Sequence, residues 1–222
     1  MNFIEVSKNS IPFLIKGLRL TAYIGSISLL LALLIGLIGG IFNKNSKVFI
    51  IRTISKIYVT VVRGTPFLIQ LYIVFFVLPS FGITLNPLQA GILTLAFHNG
   101  AYIAEIIRSG IEAIPKEQSD AAISLGMTPF LKMKLIILPQ ALRVVIPPLA
   151  GQIMILIKDT SITSLIGIFE LTKVGRELTV ASRFNPIVVY TWVSFFYFVI
   201  CYPLYVLSVK LEKKLRLHFS SL

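Results

Sequence analysis

The sequence predicts an all-α integral membrane protein with five transmembrane helices, and three observations lead to this fold class. The chain has 222 residues, of which 56% are hydrophobic and only 14% are charged, and its mean hydropathy is +0.88. Its apolar residues form five long segments, and a helix needs about 20 residues to cross a bilayer. Its lysines and arginines are divided unequally between the two ends of these segments. We therefore predict a single membrane domain over residues 1–222.

The five predicted spans differ in the residues that interrupt them. The first contains four glycines, which permit close helix packing, and the fifth is rich in aromatic residues. The second is broken by Arg63-Gly64-Thr65-Pro66, and the part after Pro66 is too short to cross alone. The fourth contains Pro147-Pro148, which predicts a bent or broken helix. The spans are predicted at residues 18–42, 57–78, 87–107, 138–157 and 187–209.

The distribution of positive charge predicts how the chain is oriented. Of its 21 lysines and arginines, 14 fall on one side of the predicted spans and 7 on the other. The richer side is expected to be cytoplasmic, which puts the N-terminus outside and the C-terminus inside. The net charge of +12 then faces anionic membrane lipid, so no nucleic acid partner is needed to explain it. The loop at residues 158–186 falls outside and carries enough apolar residues to be partly buried or re-entrant.

Residues with catalytic or metal-binding chemistry are few and scattered. Cys201 is the single cysteine, so an intrachain disulfide is excluded. His98 and His218 are far apart and have no cysteine cluster beside them, which makes a metal site improbable. The chain has neither the glycine-rich phosphate loop of ATPases nor the nucleophile elbow of hydrolases. We predict no catalytic residues, no metal and no cofactor in this chain.

The longest polar interval, Ile114 to Pro139, has the punctuation of two short helices joined at a corner. Pro115 fits the first position of a helix, and Gly126 can end that helix in a left-handed turn. Thr128-Pro129 fits an N-cap followed by a first-turn proline, and Pro139 is expected to stop the second helix. The charge count places this interval on the cytoplasmic side. It is either a linker on the membrane surface or an element that docks on another protein.

Polar residues inside the apolar segments are candidates for function, because polar groups in hydrocarbon are costly. His98 and Asn99 lie near the middle of the third segment. They either contact a transported molecule or join neighbouring helices by hydrogen bonds. Glu105 and Arg108 are three residues apart and can pair on one helix face. This pair either has a role in function or holds the end of the helix.

Two further groups of polar residues lie where helices are expected to end or bend. The Thr65-Pro66 break frees a backbone carbonyl, which is tolerated only beside protein or a water-filled cavity; the alternative is a structural kink. Gln152 follows the two prolines of the fourth segment. Asp159 and Ser161 end that segment, where an acid and hydroxyls could hold an amino group or simply cap the following loop.

The polar interval and three other motifs together resemble one known family. Asp-Ala-Ala, three residues, Gly126, nine residues and Ile-x-Leu-Pro reproduce the spacing of the Glu-Ala-Ala loop of bacterial ABC importer permeases, with Asp120 in place of the usual glutamate. The other three motifs look like those of the polar amino acid subfamily, the histidine, arginine and glutamine permeases. They are Arg63-Gly64-Thr65-Pro66, Ala101-Tyr102-Ile103-Ala104-Glu105 and Lys158-Asp159-Thr160-Ser161.

The resemblance implies a role for the polar interval. Within the loop at residues 110–139, a coupling helix would seat in a groove of a separate ATP-binding subunit, which binds ATP and magnesium. Two permease chains, as a homodimer, would face each other across a pore in the bacterial inner membrane. An extracytoplasmic amino-acid-binding protein would deliver the substrate. The residues implied to contact the ATP-binding subunit are Ser119, Asp120, Ala121, Ala122, Leu125, Gly126 and Met127.

The transported molecule is expected to be a polar or cationic L-amino acid such as arginine, lysine or histidine, because acidic and amide groups are available to bind it. The same motifs occur in carriers of glutamine, glutamate and cystine, which are the alternative substrates. Other classes left open are a proton-coupled carrier, an intramembrane enzyme and a structural membrane protein. The residues predicted to bind substrate are Thr65, His98, Asn99, Glu105, Gln152, Asp159 and Ser161.

Overall fold

The computed structural model describes residues 3–45, 49–182 and 184–216, and these residues form helices and turns with no strand. Lys47, Arg183 and His218, which entered the charge and metal arguments, lie outside the described residues. Four described helices are long and apolar enough to cross a membrane, and a bent pair makes a fifth. The α-helices are α1 (Phe3–Asn45), α2 (Phe49–Arg63), α3 (Phe67–Tyr72), α4 (Pro87–Glu112), α5 (Lys116–Ser124), α6 (Pro129–Lys132), α7 (Leu138–Asp159), α8 (Leu171–Val180) and α9 (Pro186–Arg216).

Helix α1 begins at Phe3, 15 residues before the predicted start of the first span at residue 18. The early turns contain charges, but Val6, Ser10 and Leu14 are fully buried at helical spacing. This face packs against α8 and α9, and the Trp192 indole N–H donates to the Ser7 hydroxyl at 2.9 Å. Helix extension here follows from contacts with distant segments, which local hydropathy does not detect.

The second span is a bent pair, as the Thr65-Pro66 break predicts. Helices α2 and α3 meet at 107°. A π turn at Ile73–Val77 and a 3₁₀ turn at Leu78–Phe81 continue α3. Helix α2 begins at Phe49, eight residues before the predicted start of the second span at residue 57. Charged residues interleave with exposed isoleucines in its first turns, so this part is amphipathic rather than uniformly apolar.

Helix α4 is the most buried of the four described single spans and forms the centre of the bundle. It begins at a capping box in which Asn86 and Gln89 satisfy each other's backbone N–H groups. The predicted close packing at glycines of the first span is confirmed where α1 crosses α4. A methyl group added to Gly40 would lie 2.8 Å from Ile107, so only glycine fits there.

The polar interval forms the predicted helix, glycine corner and helix, but two details differ. Pro115 is the residue before α5, not its first residue. Pro139 does not stop the second helix. A π turn at Met133–Ile137 joins α6 to α7 without interruption, and its wider backbone accommodates the proline ring that would clash in a regular helix. The helical segment long and apolar enough to cross therefore runs from Pro129, before the predicted start of the fourth span at residue 138.

The last part of the chain, from α7 to α9, differs in part from the prediction. Pro147 and Pro148 lie inside the continuous helix α7. Of the predicted bent or broken helix, the broken alternative is therefore excluded. A 3₁₀ turn at Thr160–Ile166 ends in Gly167, whose φ is +93°. Burial of Ile166 and Ile168 confirms a partly buried loop, and α9 then runs past the predicted end at residue 209.

Candidate functional site

The break between α2 and α3 is closed by one side chain, Gln70. Its amide nitrogen donates to the carbonyl of Val62 at 2.8 Å and to the Thr65 carbonyl and hydroxyl at 3.2 and 2.8 Å. The Thr65 hydroxyl donates in turn to the Val61 carbonyl at 2.9 Å. Since Pro66 has no N–H to offer, these side chains take over the hydrogen bonds of a continuous helix.

His98 connects this break to the centre of the bundle. Its Nδ1 lies 3.0 Å from the Gln70 side-chain oxygen, and the His98 side chain is buried. The imidazole ring packs against Phe67 and Tyr102, with ring centroids 5.1 and 5.2 Å apart. The structure thus joins two predicted site residues, Thr65 and His98, through a glutamine that sequence reasoning did not select.

A second polar cluster lies around the α4 turn that contains His98, on a different face of the helix. The Gln152 amide donates to the Asn99 side-chain oxygen at 2.8 Å, in a buried position. The Asn99 amide donates to the Leu95 carbonyl at 3.0 Å and interacts with the carboxylate of Asp159. We call Asn99, Gln152 and Asp159 the amide–acid cluster. Together they place amide and carboxylate groups between α4 and α7, where Asn99 and Gln152 are buried.

Asp159 is not a helix cap. It precedes the 3₁₀ turn at Thr160–Ile166 and makes no capping hydrogen bond there, so the capping alternative for this residue is wrong. The side chain is half-buried and faces Asn99 instead. Ser161 is not drawn into the cluster by any of its described contacts, since its hydroxyl donates to the Lys158 carbonyl at 2.7 Å.

Glu105 is the centre of an ion-pair network on α4. Arg108 binds it through two nitrogens, at 2.8 and 2.6 Å, and also binds Glu112 at 2.5 Å. Arg63 approaches Glu105 to 3.4 Å and lies 5.5 Å from the ring centre of Tyr102. The predicted pairing of Glu105 with Arg108 is confirmed, and the pair also reaches the broken second span.

This network borders a cavity of about 1010 Å³ between α2 and α4. The volume exceeds the size of a single amino acid, and both signs of charge face it. The walls combine hydroxyl, aromatic and ionic groups, a mixture that can hold a polar molecule and its water. The charged residues at its wall are Arg52, Lys56, Arg63, Glu105, Arg108 and Glu112.

The polar interval presents an exposed apolar edge around its glycine corner. Gly126 has φ +76°, and its N–H and that of Met127 bond to the carbonyls of Ile123 and Ala122, which is the Schellman arrangement. Ala122 is buried against the rest of the chain, whereas Leu125 is 81% exposed. Exposed apolar surface at such a corner is a candidate contact for a protein partner or for membrane lipid.

The other predicted coupling residues lie around the same corner. Asp120 and Ala121 are exposed, and Met127 is half-buried. Ser119 accepts a hydrogen bond from the Lys132 ammonium at 2.8 Å, which ties α5 to α6. Six of the seven predicted residues thus keep at least partial exposure, and Ala122 instead supports the corner from beneath.

Glu170 is a buried acid that the sequence analysis did not select. It is fully buried, and burial raises its pKa although several hydrogen bonds oppose this. Its carboxylate accepts from the Lys173 backbone N–H at 2.7 Å and from the Tyr197 hydroxyl at 2.9 Å. Next to it, the Leu171 N–H donates to the Thr21 hydroxyl at 3.1 Å. The group holds α8 against α1 and α9.

Gln70 and Glu170 carried weak sequence signals. Gln70 is a lone amide in an apolar run, four residues after Pro66, where a freed carbonyl needs a donor. Glu170 precedes a helix and fits an N-cap of α8. Their principal partners, His98 and Tyr197, are 28 and 27 residues away, and single-sequence patterns do not reveal such pairings.

Comparison with known proteins gives consistent matches over most of the chain. Residues 32–217 match the family described as binding-protein-dependent transport system inner membrane component. The L-cystine transport system permease protein TcyB of Bacillus subtilis (strain 168) is 36% identical over 204 residues, covering 92% of this chain and 87% of that protein. The glutamine transport system permease protein GlnP of Escherichia coli (strain K12) is 35% identical over 210 residues, covering 94% and 95%.

A solved structure matches at similar coverage. The crystal structure of an amino acid ABC transporter with histidines superposes with a TM-score of 0.88 and 31% sequence identity. The match covers 96% of this chain and 99% of that one. The bent second span and the continuous fourth span therefore occur within a fold that has been observed experimentally.

Proposed function

Because the chain belongs to the family of binding-protein-dependent transport system inner membrane components, we propose that it is the permease subunit of an ATP-driven amino acid importer. Family membership makes it an inner-membrane transport component and not an enzyme. ATP would be hydrolysed by a separate subunit, and a binding protein would deliver the substrate. The observation that carries the proposal is the exposed helix corner at Gly126, at the spacing expected of a coupling loop.

The corner between α5 and α6 would dock on the ATP-binding subunit. Leu125 and its neighbour Ile123 offer exposed apolar surface, and Asp120 adds a charge at the edge. The lysine and arginine count supports a cytoplasmic position for this corner and an outside N-terminus. The Schellman bonds and the Ser119–Lys132 contact make the corner rigid enough to move as a unit.

The translocation pathway would form between two copies of this chain. The described residues give one bent span and four single helices long enough to cross, too few to enclose a pore alone, and a closed two-fold dimer is the commonest arrangement among homo-oligomers. Membrane lipid would cover the remaining apolar faces. The bent second span would line the path, since irregular backbone in a membrane is tolerated beside a water-filled cavity.

The amide–acid cluster would bind the amino acid. Asp159 can accept from an ammonium group, and Asn99 and Gln152 offer both donors and acceptors. An acid in this position favours arginine, lysine or histidine. Similar proteins carry names for glutamine and cystine transport, which makes those the alternative substrates. Thr65, His98, Glu105 and Ser161, the other predicted substrate residues, would then shape the path around this cluster.

Uptake by reconstituted vesicles would test the proposal. The vesicles would contain this chain and its ATP-binding subunit, with the binding protein and a labelled amino acid outside and ATP inside. We expect uptake that requires ATP and that excess unlabelled arginine, lysine or histidine suppresses. Suppression by glutamine or cystine alone would refute the cationic preference. Uptake that proceeds without the ATP-binding subunit would favour a proton-coupled carrier and refute the importer.

A further inference from the structure

The two halves of the broken span are held together by side chains and not by backbone. Pro66 leaves the Val62 carbonyl without its helical partner, and the Gln70 amide supplies the donor at 2.8 Å. The same amide reaches the Thr65 carbonyl at 3.2 Å. An unsatisfied carbonyl inside a membrane is costly, so loss of Gln70 would remove the main compensation for the break.

The hydrogen bonds fix the orientation of the Gln70 amide. The carbonyl groups of Val62 and Thr65 can only accept, so the amide nitrogen faces them and the side-chain oxygen faces His98. That oxygen can only accept in turn, and the His98 Nδ1 must therefore carry its proton. We call the Gln70–His98 bond and the contacts of Gln70 with the break the hinge clamp. It joins α2, α3 and α4 at one point.

The hinge clamp lies between the two parts of the candidate site. His98 is adjacent to Asn99, which belongs to the amide–acid cluster. Val62 is adjacent to Arg63, which pairs with Glu105 at the wall of the cavity. A change in the angle between α2 and α3 would therefore move Arg63 relative to Asn99. Gln70 would act on both only indirectly, because its own side chain is bonded to protein groups at both ends.

We propose that Gln70 is a positioning residue for transport, which acts with His98 to hold α2 and α3 at their observed angle against α4. The clamp sets the separation between the charged cavity wall and the amide–acid cluster. Gln70 does not contact the substrate. The link to transport rests on the function proposed above, whereas the geometric claim, that the clamp fixes the 107° bend, is independent of the substrate.

The transport test compares Gln70→Leu, His98→Phe and the double variant. Phenylalanine is chosen at position 98 because it keeps the ring packing of His98. Loss of one half-buried hydrogen-bonded side chain corresponds to about tenfold, so Q70L should lower the maximal uptake rate about tenfold with little change in KM. The double variant should be no slower than Q70L, since both changes break one clamp. Multiplying effects in the double variant, or a normal rate in Q70L, would overturn the proposal.

A matched control is Gln140→Leu. Gln140 is also a half-buried glutamine, but its amide donates only to the carbonyl of Ile136 in the preceding turn, so Q140L should transport normally. If Q70L does not insert, Gln70→Glu replaces it, because glutamate keeps an acceptor for His98 and loses the donors to the break. Q70E should show the same reduced rate, and a normal rate would overturn the proposal.

A distance measurement separates the clamp from the transport function. Spin labels would be attached to cysteines at Ile54 and Phe76, both exposed, in a chain with Cys201→Ser, which removes the single native cysteine. An excess of cysteine-free chain dilutes the labelled copy in the complex. Q70L should shift or broaden the distance distribution, and an unchanged distribution would overturn the clamp. This readout needs no substrate, so absent uptake in the wild type would refute only the proposed function.

Discussion

Replacing Gly126 by alanine tests whether the corner between α5 and α6 must keep its observed shape. Gly126 has φ +76°, and an added Cβ would meet nothing within 4 Å, so the cost is backbone strain alone. A left-handed conformation costs a residue with a side chain about 1–2 kcal/mol. This lowers the equilibrium constant for the native corner about five- to thirtyfold. In vesicles, G126A should lose uptake, at most by that factor, while ATP hydrolysis by the partner continues.

Two variants make this result specific. Asparagine adopts the left-handed region more readily than alanine, so Gly126→Asn should recover part of the uptake. Gly151→Ala is the matched control, because Gly151 also has open space around it but lies in helix α7 without a positive φ. It should transport as well as the wild type. Equal uptake by G126A, G126N and G151A would refute the reasoning, since the strained corner would then have no role.

Three further predictions concern binding and stability. Asp159→Asn should weaken arginine binding about tenfold, the effect of removing one charge-assisted hydrogen bond, in an equilibrium binding assay with the purified complex; unchanged affinity would remove Asp159 from the site. Gly40→Ala should lower the free energy of unfolding by about 1–3 kcal/mol in thermal unfolding, because its Cβ would lie 2.8 Å from Ile107, and an unchanged transition would contradict the packing. Burial raises the pKa of Glu170 above its usual 4.5, so its contribution to stability is present below that pH and is lost as pH rises through the folded-state pKa. Glu170→Gln should remove this loss, and identical pH profiles of the two proteins would contradict it.

The sequence predicted those features of the fold that proline and glycine determine locally. The break at Thr65-Pro66 and the corner at Gly126 required only the conformational limits of these residues. The early start of α1 was missed because Val6 and Leu14 are buried by α8 and α9, which lie far along the chain. Pro139 was misread as a stop, since a π turn absorbs its ring, and nothing in the sequence predicts that turn.

The candidate site was predictable in part. Asn99, Gln152 and Asp159 stood out as polar residues in apolar segments, and the structure brings them together. Gln70 did not stand out, because its importance depends on a carbonyl freed eight residues earlier and on His98 in another helix. Polarity in the membrane can be read from one sequence, whereas the pairing of polar groups requires the helices to be placed.

The coupling claim is tested most directly by crosslinking from the exposed corner. In a Cys201→Ser chain, a cysteine at Leu125 would carry a short photoactivatable crosslinker within the assembled complex. Phe81, which is 76% exposed compared with 81% for Leu125, provides the control position after α3. We expect Leu125 to crosslink to the ATP-binding subunit, with a yield that changes when ATP is added, and Phe81 not to crosslink to it. Crosslinking to that subunit from Phe81 but not from Leu125 would contradict the proposed coupling surface.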